Sequence, residues 1–416
     1  MISAVVSDSP LFPDVARSDP QPKRAHESNY GFFQRVDDPA YNRKRDLLNE
    51  WFERFASLQD PEAVADLRQR FRAKQDGQFL SAFWELYLHE LFARLGFQAQ
   101  VHPASAKGDN RPDFLMTRGE TRFYLEAVMP TPGFSHSDNQ PASVATVTEY
   151  VNEAFHSQFW LRLHHVIPGP NVPRKKAVIR AVSDWLDALT WDHLWKGDQQ
   201  SAVCPEIELH IGYGWQIKLA AIPLDPSLQS DKPRPMIFSY RGATGYPDAL
   251  GGAVLPSLIE KTSKYGGLDA PLMVAMWVLD AMANPETAPL ALFGSRFSLE
   301  EGTHRTGLEL NEDRSGLWTP GVKTRARACG VLAANSFAFG YSAVARTLPR
   351  YWPNPWADQP LLVDLPLPMS TVSDDETTVV NRPVTETPAE LFELPEDWPG
   401  LPFRDPSREG EGKERV

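Results

Sequence analysis

The chain has 416 residues, 42% of them hydrophobic and 23% charged, the composition of a globular protein with a substantial core. Two cysteines are too few for a disulfide scaffold or a cysteine-rich zinc site, and no apolar run approaches the roughly 20 residues a membrane-spanning helix needs. The net charge of −12 disfavours phosphate partners, yet from Ser370 onward twelve Asp or Glu stand against five Lys or Arg, so the body can still hold a local basic channel.

Residues 1 to about 30 are rich in Pro, Ser and Asp, lack apolar periodicity and read as a disordered segment. Asp8, Pro10, Pro13 and Asp14 interrupt any export signal, so the expected setting is cytoplasmic and reduced, with no membrane partner. Leu47, Leu48, Trp51, Phe52 and Phe55 predict one amphipathic helix, and Val64, Leu67 and Phe71 predict another after Asp60-Pro61. A third helix runs from Gln78 to Leu95 and stops at Gly96. Strands follow at about 97–102, 112–117 and 121–129, the last two joined through Arg118-Gly119-Glu120. Beyond them the pattern predicts a helix at about 142–156, a strand from Gln158 to Val166 and a helix at about 175–190. A hairpin of strands at 206–211 and 215–222 turns through Gly212 and Gly214. A helix near 253–265 leads into an apolar strand from Pro271 to Leu279, and a last strand or pair of strands occupies about 322–344. Alternating helices and strands place the chain in the α/β or α+β class. Residues 31–369 read as one domain. Residues 370–416 read as an acidic, largely disordered tail, in which Leu391, Phe392, Leu394, Trp398, Leu401 and Phe403 could dock on the body or on a partner protein.

The chemistry concentrates between residues 79 and 130. On the third helix Leu80, Phe83, Trp84, Tyr87, Leu88, Leu91 and Leu95 form one apolar arc with Glu85 and Glu90 at its margins, where a carboxylate can be held against a sheet and still reach a cleft. Arg111-Pro112-Asp113-Phe114 enters one hairpin strand, and Glu126 lies near the end of its partner, so antiparallel pairing can bring Asp113 and Glu126 together. Glu126 interrupts an apolar strand face, which is costly unless it is paired or binds a cation. Two carboxylates converging at one sheet end suit an oxygen-liganded divalent ion.

A helix bearing Phe83-Trp84-Glu85-Leu86-Tyr87-Leu88, then Arg111-Pro112-Asp113-Phe114, then Tyr124-Leu125-Glu126-Ala127-Val128 resembles the PD-(D/E)XK nuclease superfamily over about 50 residues. The resemblance implies a restriction-endonuclease-like mixed central sheet flanked by helices, with a helical N-terminal extension. It also implies Mg²⁺- or Mn²⁺-dependent cleavage of phosphodiester bonds. Asp113 and Glu126 would hold the ion, and Glu85 would assist directly or through water. Val128 occupies the place of the motif's lysine. Lys261 and Lys264, three apart on the helix before the apolar strand, are the best replacements, ahead of Lys107 and Arg111.

Two basic groups could meet nucleic acid: Arg174, Lys175 and Lys176 at a helix start, and Lys323, Arg325 and Arg327 alternating on a predicted strand. Such a row also protects a sheet edge. The stretch from Tyr351 to Trp356 could stack bases or pack its rings on the domain surface. His89-Glu90 lacks a second histidine at Ala93, and His164 and His165 point to opposite strand faces, so neither pair makes a metal site. Two functions stay open: a metal-dependent nuclease acting on DNA, in restriction or defence, and an inactive nuclease-like protein that binds nucleic acid or a partner protein. Val128 favours the second; Glu85, Asp113 and Glu126 together favour the first.

Overall fold

The computed structural model describes residues 10–24, 27–103, 111–130, 142–197, 202–226, 229, 237–238, 248–265, 267–278, 287–294, 296–299, 305–309, 316–318, 327–335, 343–373, 378–382, 384, 386–395 and 397–400. Four helices come first. α1 (Asn29–Arg35), α2 (Pro39–Leu58) and α3 (Pro61–Phe71) begin where Ser28, Asp38 and Asp60 accept first-turn N–H groups. Pro39 and Pro61 open two of them, at a position whose N–H has no helical partner anyway. α4 (Asp76–Arg94) has no side-chain cap. Burial holds it instead: between Phe79 and Phe92 every residue but Ser81 is buried. The single arc read from the sequence is therefore too narrow. α1 to α3 cover one side of α4 and a sheet covers the other, as expected for a central helix that is apolar nearly all round.

β1 (Gln98–Val101), β2 (Phe114–Arg118) and β3 (Thr121–Val128) form an antiparallel meander. The β2–β3 turn needs Gly119, whose φ of +57° favours a residue without Cβ. The chain continues through α5 (Ala142–Asn152), β4 (Phe159–Ile167), α6 (Lys175–Asp187), α7 (Trp191–Leu194), β5 (Glu206–Ile211), β6 (Trp215–Pro223) and β7 (Ile237–Phe238). Next come α8 (Asp248–Ser263), β8 (Leu272–Val278), α9 (Thr287–Phe293), β9 (Arg296–Leu299), β10 (Arg305–Glu309) and β11 (Ala328–Asn335). The last elements are α10 (Ala343–Arg346), β12 (Arg350–Pro353), β13 (Met369–Val372), β14 (Thr378–Arg382) and α11 (Pro388–Leu391).

The strands make a ten-stranded sheet in the order β1-β2-β3-β8-β11-β12-β13-β14-β10-β9 and a four-stranded sheet in the order β5-β6-β4-β7. The class is mixed α/β. β3, β8 and β11 run parallel at the centre of the large sheet, and β8 is apolar without interruption because both its faces are covered. On one face Leu125, Met273, Ala275 and Trp277 pack with α4, and Trp84 Nε1 donates to the Ala275 carbonyl at 3.1 Å. On the other, Val128, Val274 and Met276 pack with Val254 and Leu258 of α8 and with α9.

Three expectations change. The segment over residues 1–30 is not a free arm from Pro10 onward, because Leu11 and Phe12 are buried, Phe12 stacking on Tyr30 and Phe33. Within 370–416, β13 and β14 extend the large sheet and Phe392 packs on Trp51 and Tyr87. Leu391, Phe392 and Trp398 are thus spent on the body rather than offered to a partner. Within residues 31–369, β4 to β6 with α5 and α6 enclose a core of their own around Val147, Val178, Trp215 and Leu219. Tyr351 and Trp352 are buried, so they are core side chains and not a platform for bases.

Candidate acidic site

Pairing of Phe114 with Leu125 sets Asp113 level with Glu126, as the strand alternation requires. Asp113 precedes β2, and its Oδ2 accepts the Ala127 N–H at 2.7 Å. Glu126 lies level with Val274 of β8 and is 0% exposed. A burial this complete demands partners, and the last turn of α8 with the two residues after it supplies them. Lys261 Nζ donates to Glu126 Oε1 at 2.7 Å, Lys264 Nζ reaches the same oxygen at 3.4 Å, and the Tyr265 hydroxyl donates to Oε2. The helical spacing accounts for this. Val254 and Leu258 pack with Val128, while Lys261, one turn further along, meets the strand at Glu126, and Tyr265 joins it from just past the helix end. A lysine at position 128 would have shared the face of Glu126; α8 brings one to the same carboxylate from the facing layer.

Burial, then the charges of Glu85 and Glu126, push the Asp113 carboxyl up to about 8, against the Ala127 N–H and the Lys261 ammonium, which favour its ionised form. Burial works against the charge of Lys261, but the Glu126 hydrogen bond and the charges of Glu126 and Asp113 outweigh it and raise its pKa. Burial and the bond to Glu126 likewise raise Tyr265. Lys261 is therefore a cation and Tyr265 a neutral donor across the working pH range.

Glu85 approaches from α4. Arg70 of α3 grips both its oxygens at 2.6 Å, and Asp66 holds Arg70 at 2.8 Å. Glu85 is thus an oriented charge beside Asp113, not an open ligand. Replacing Arg70 by Ala should destabilise the protein by about 2–3 kcal/mol, less than for a fully enclosed pair because water reaches part of the guanidinium. Urea unfolding checks this, and Arg70→Ala with Glu85→Ala should recover most of the loss. An unchanged midpoint in the single variant would show that the pair carries no stability.

Among the described residues, no three His, Cys, Asp or Glu side chains are placed to hold one metal ion. Mg²⁺ keeps several waters and takes one or two carboxylates together with substrate phosphate, and Asp113 and Glu126 are the pair that would hold it.

Lys107, Lys323 and Arg325 lie outside the described residues. Arg327 precedes β11 instead of lying within a strand, and its guanidinium stands 3.3 Å from the Tyr265 carbonyl. Arg174, Lys175 and Lys176 open α6 in the four-stranded unit, where Lys175 pairs with Glu153 at 2.7 Å. They belong to a different sheet from the acidic site. His89 sits edge-on to Phe55, its pKa driven down to about 4 by burial, and is structural. Sequence reasoning missed Tyr265, although its place four residues after Lys261 was a usable signal, and Arg70, whose contact crosses between two helices. Comparison of the chain with protein-family models, with curated proteins and with solved structures finds no match.

Proposed function

We propose that the chain is a metal-dependent nuclease that cleaves phosphodiester bonds in DNA, of the kind used in restriction or in defence against foreign DNA. One observation carries this reading. The Lys261 ammonium is bonded to Glu126 and acts electrostatically on Asp113, restoring the acid, acid and lysine set that Val128 had left incomplete. The resemblance to the PD-(D/E)XK superfamily supplies the chemistry. Support comes from the placement of its motifs: Glu85 on a helix packed against the sheet, Asp113 before one hairpin strand, and Glu126 on the next.

Asp113 and Glu126 would hold Mg²⁺ or Mn²⁺, which when bound activates a water and offsets charge developing on the phosphate. Lys261, fixed on Glu126, places a positive charge where that charge grows. Arg70 holds Glu85 so that its carboxylate adds negative potential at Asp113 and favours a cation there. Arg327, whose guanidinium lies 3.3 Å from the Tyr265 carbonyl, would offer a positive charge to a DNA phosphate.

The second reading, a nuclease-like protein that binds without cutting, is favoured by the same ion pairs. Glu85 has Arg70 and Glu126 has Lys261 and Lys264, so both acids are neutralised without a metal. Plasmid cleavage separates the two. The protein should nick or linearise DNA with Mg²⁺ or Mn²⁺ and stop on chelation. Glu126→Ala and the gentler Glu126→Gln, which keeps an acceptor for Tyr265, should both be inactive. Absence of metal-dependent cleavage by the unaltered protein, or equal cleavage by Glu126→Gln, would hand the case to the binding reading.

A further inference from the structure

The Tyr265 side chain is fixed by its surroundings. Its ring is buried in a small core with Tyr124, Ala270 and Leu272, and its backbone carbonyl lies against Arg327. The hydroxyl meets Glu126 Oε2 and stands 3.2 Å from the carbonyl oxygen of Arg111, two residues before Asp113. Its single proton is committed to Glu126, and the Arg111 carbonyl is a near neighbour without a proton of its own to share. The other Glu126 oxygen is held by Lys261. With a different partner on each oxygen, the carboxylate cannot turn about its terminal bond without breaking a buried hydrogen bond.

We propose that Tyr265 is a positioning residue of the acidic site, clasping Glu126 Oε2 so that Oε1, Lys261 and Asp113 keep the mutual placement a bound divalent cation requires. This rests on the nuclease reading and adds to it an element outside the motifs that carry the resemblance. Groups that orient metal ligands affect affinity and rate about 10–100-fold without touching substrate. With its ring in the core and its hydroxyl on Glu126, Tyr265 acts through that carboxylate, so its loss should appear in metal affinity and kcat and leave KM for DNA in place.

The test compares the full chain with Tyr265→Phe and with Tyr124→Phe. The second variant removes a hydroxyl from the same small core, one bonded to Asp269 rather than to the site. Mn²⁺ alone is titrated by calorimetry, and kcat and KM are measured on plasmid DNA. Tyr265→Phe should bind Mn²⁺ about tenfold more weakly or worse and lose a comparable factor in kcat, with KM unchanged and Tm within a few degrees. Tyr124→Phe should match the unaltered chain in Mn²⁺ affinity and kcat. If Tyr265→Phe binds and cleaves like the unaltered chain, the clasp is refuted and the nuclease reading stands. Parallel losses in both variants, tracking a lowered Tm, would make the hydroxyl merely structural and overturn the proposal. If the unaltered chain neither binds Mn²⁺ nor cleaves, the nuclease reading falls and takes the positioning role with it.

Discussion

Lys261→Met should lower kcat for DNA cleavage by about 10²–10³-fold, the loss typical of removing one preorganised donor from the developing charge. Methionine keeps most of the apolar stem and removes the ammonium. The buried Glu126 is not stranded, because Lys264 Nζ at 3.4 Å and the Tyr265 hydroxyl remain on it, so the fold should survive. The fall belongs in kcat with little change in KM, since the interaction strengthens as the phosphate gains charge and contributes less to the ground state. Lys264→Met should cost far less: its amine is more distant from Glu126 and more exposed to water than that of Lys261. Steady-state kinetics on both variants decide the point. Cleavage by Lys261→Met at the unaltered rate would mean that the replacement for the motif lysine is not on α8.

Asp113→Asn should abolish metal-dependent cleavage and, at the same time, make the metal-free protein more stable. Asparagine keeps an acceptor for the Ala127 N–H but carries no charge beside Glu85 and Glu126. The sign follows from the raised pKa. A carboxyl that titrates near 8 in the folded chain and near its ordinary value when unfolded stabilises the fold below about pH 4. That contribution is lost as pH rises towards 8, because the unfolded chain then binds fewer protons than the folded one. The gain from Asp113→Asn should therefore be absent at pH 4 and grow by up to about 1.4 kcal/mol per pH unit towards pH 8, a trade of stability against function. Metal binding must expel the proton, so Mn²⁺ affinity of the unaltered chain should climb with pH and level off above about 8. Thermal unfolding and Mn²⁺ titration across pH 5 to 9 read both effects. A variant less stable than its parent at pH 8 would show that the three acids do not repel one another.

Much of the path to the site was legible in one dimension. Apolar residues at helical spacing with Asp60-Pro61 and Gly96 as punctuation located α3 and α4, and Arg118-Gly119-Glu120 located the hairpin that brings Asp113 to Glu126. Local rules suffice there because capping, turn chemistry and strand alternation act within a few residues. The same rules failed where long-range packing decides. Residues 10–30 have a disordered composition, yet Leu11 and Phe12 are anchored by aromatic residues of α1. The tail is acidic enough to repel itself, yet Phe392 has Trp51 and Tyr87 to pack against, and Glu393 finds Arg94 at 2.7 Å.

By itself the amino-acid sequence determined the mixed α/β class, the order of helix, hairpin and apolar strand, and the strand pairing that sets Asp113 level with Glu126. Those follow from periodicity and from register, which are properties of neighbours along the chain. Which cation meets Glu126, which arginine restrains Glu85, and that a tyrosine donates to Glu126 were decided only in three dimensions. The pairs Lys261–Glu126, Arg70–Glu85 and Tyr265–Glu126 join separate elements, and the geometry that makes each contact exists only once α3, α4 and α8 have closed on the sheet. A buried charge selects its partner from whatever the folded core leaves within reach, and chain order does not encode that choice.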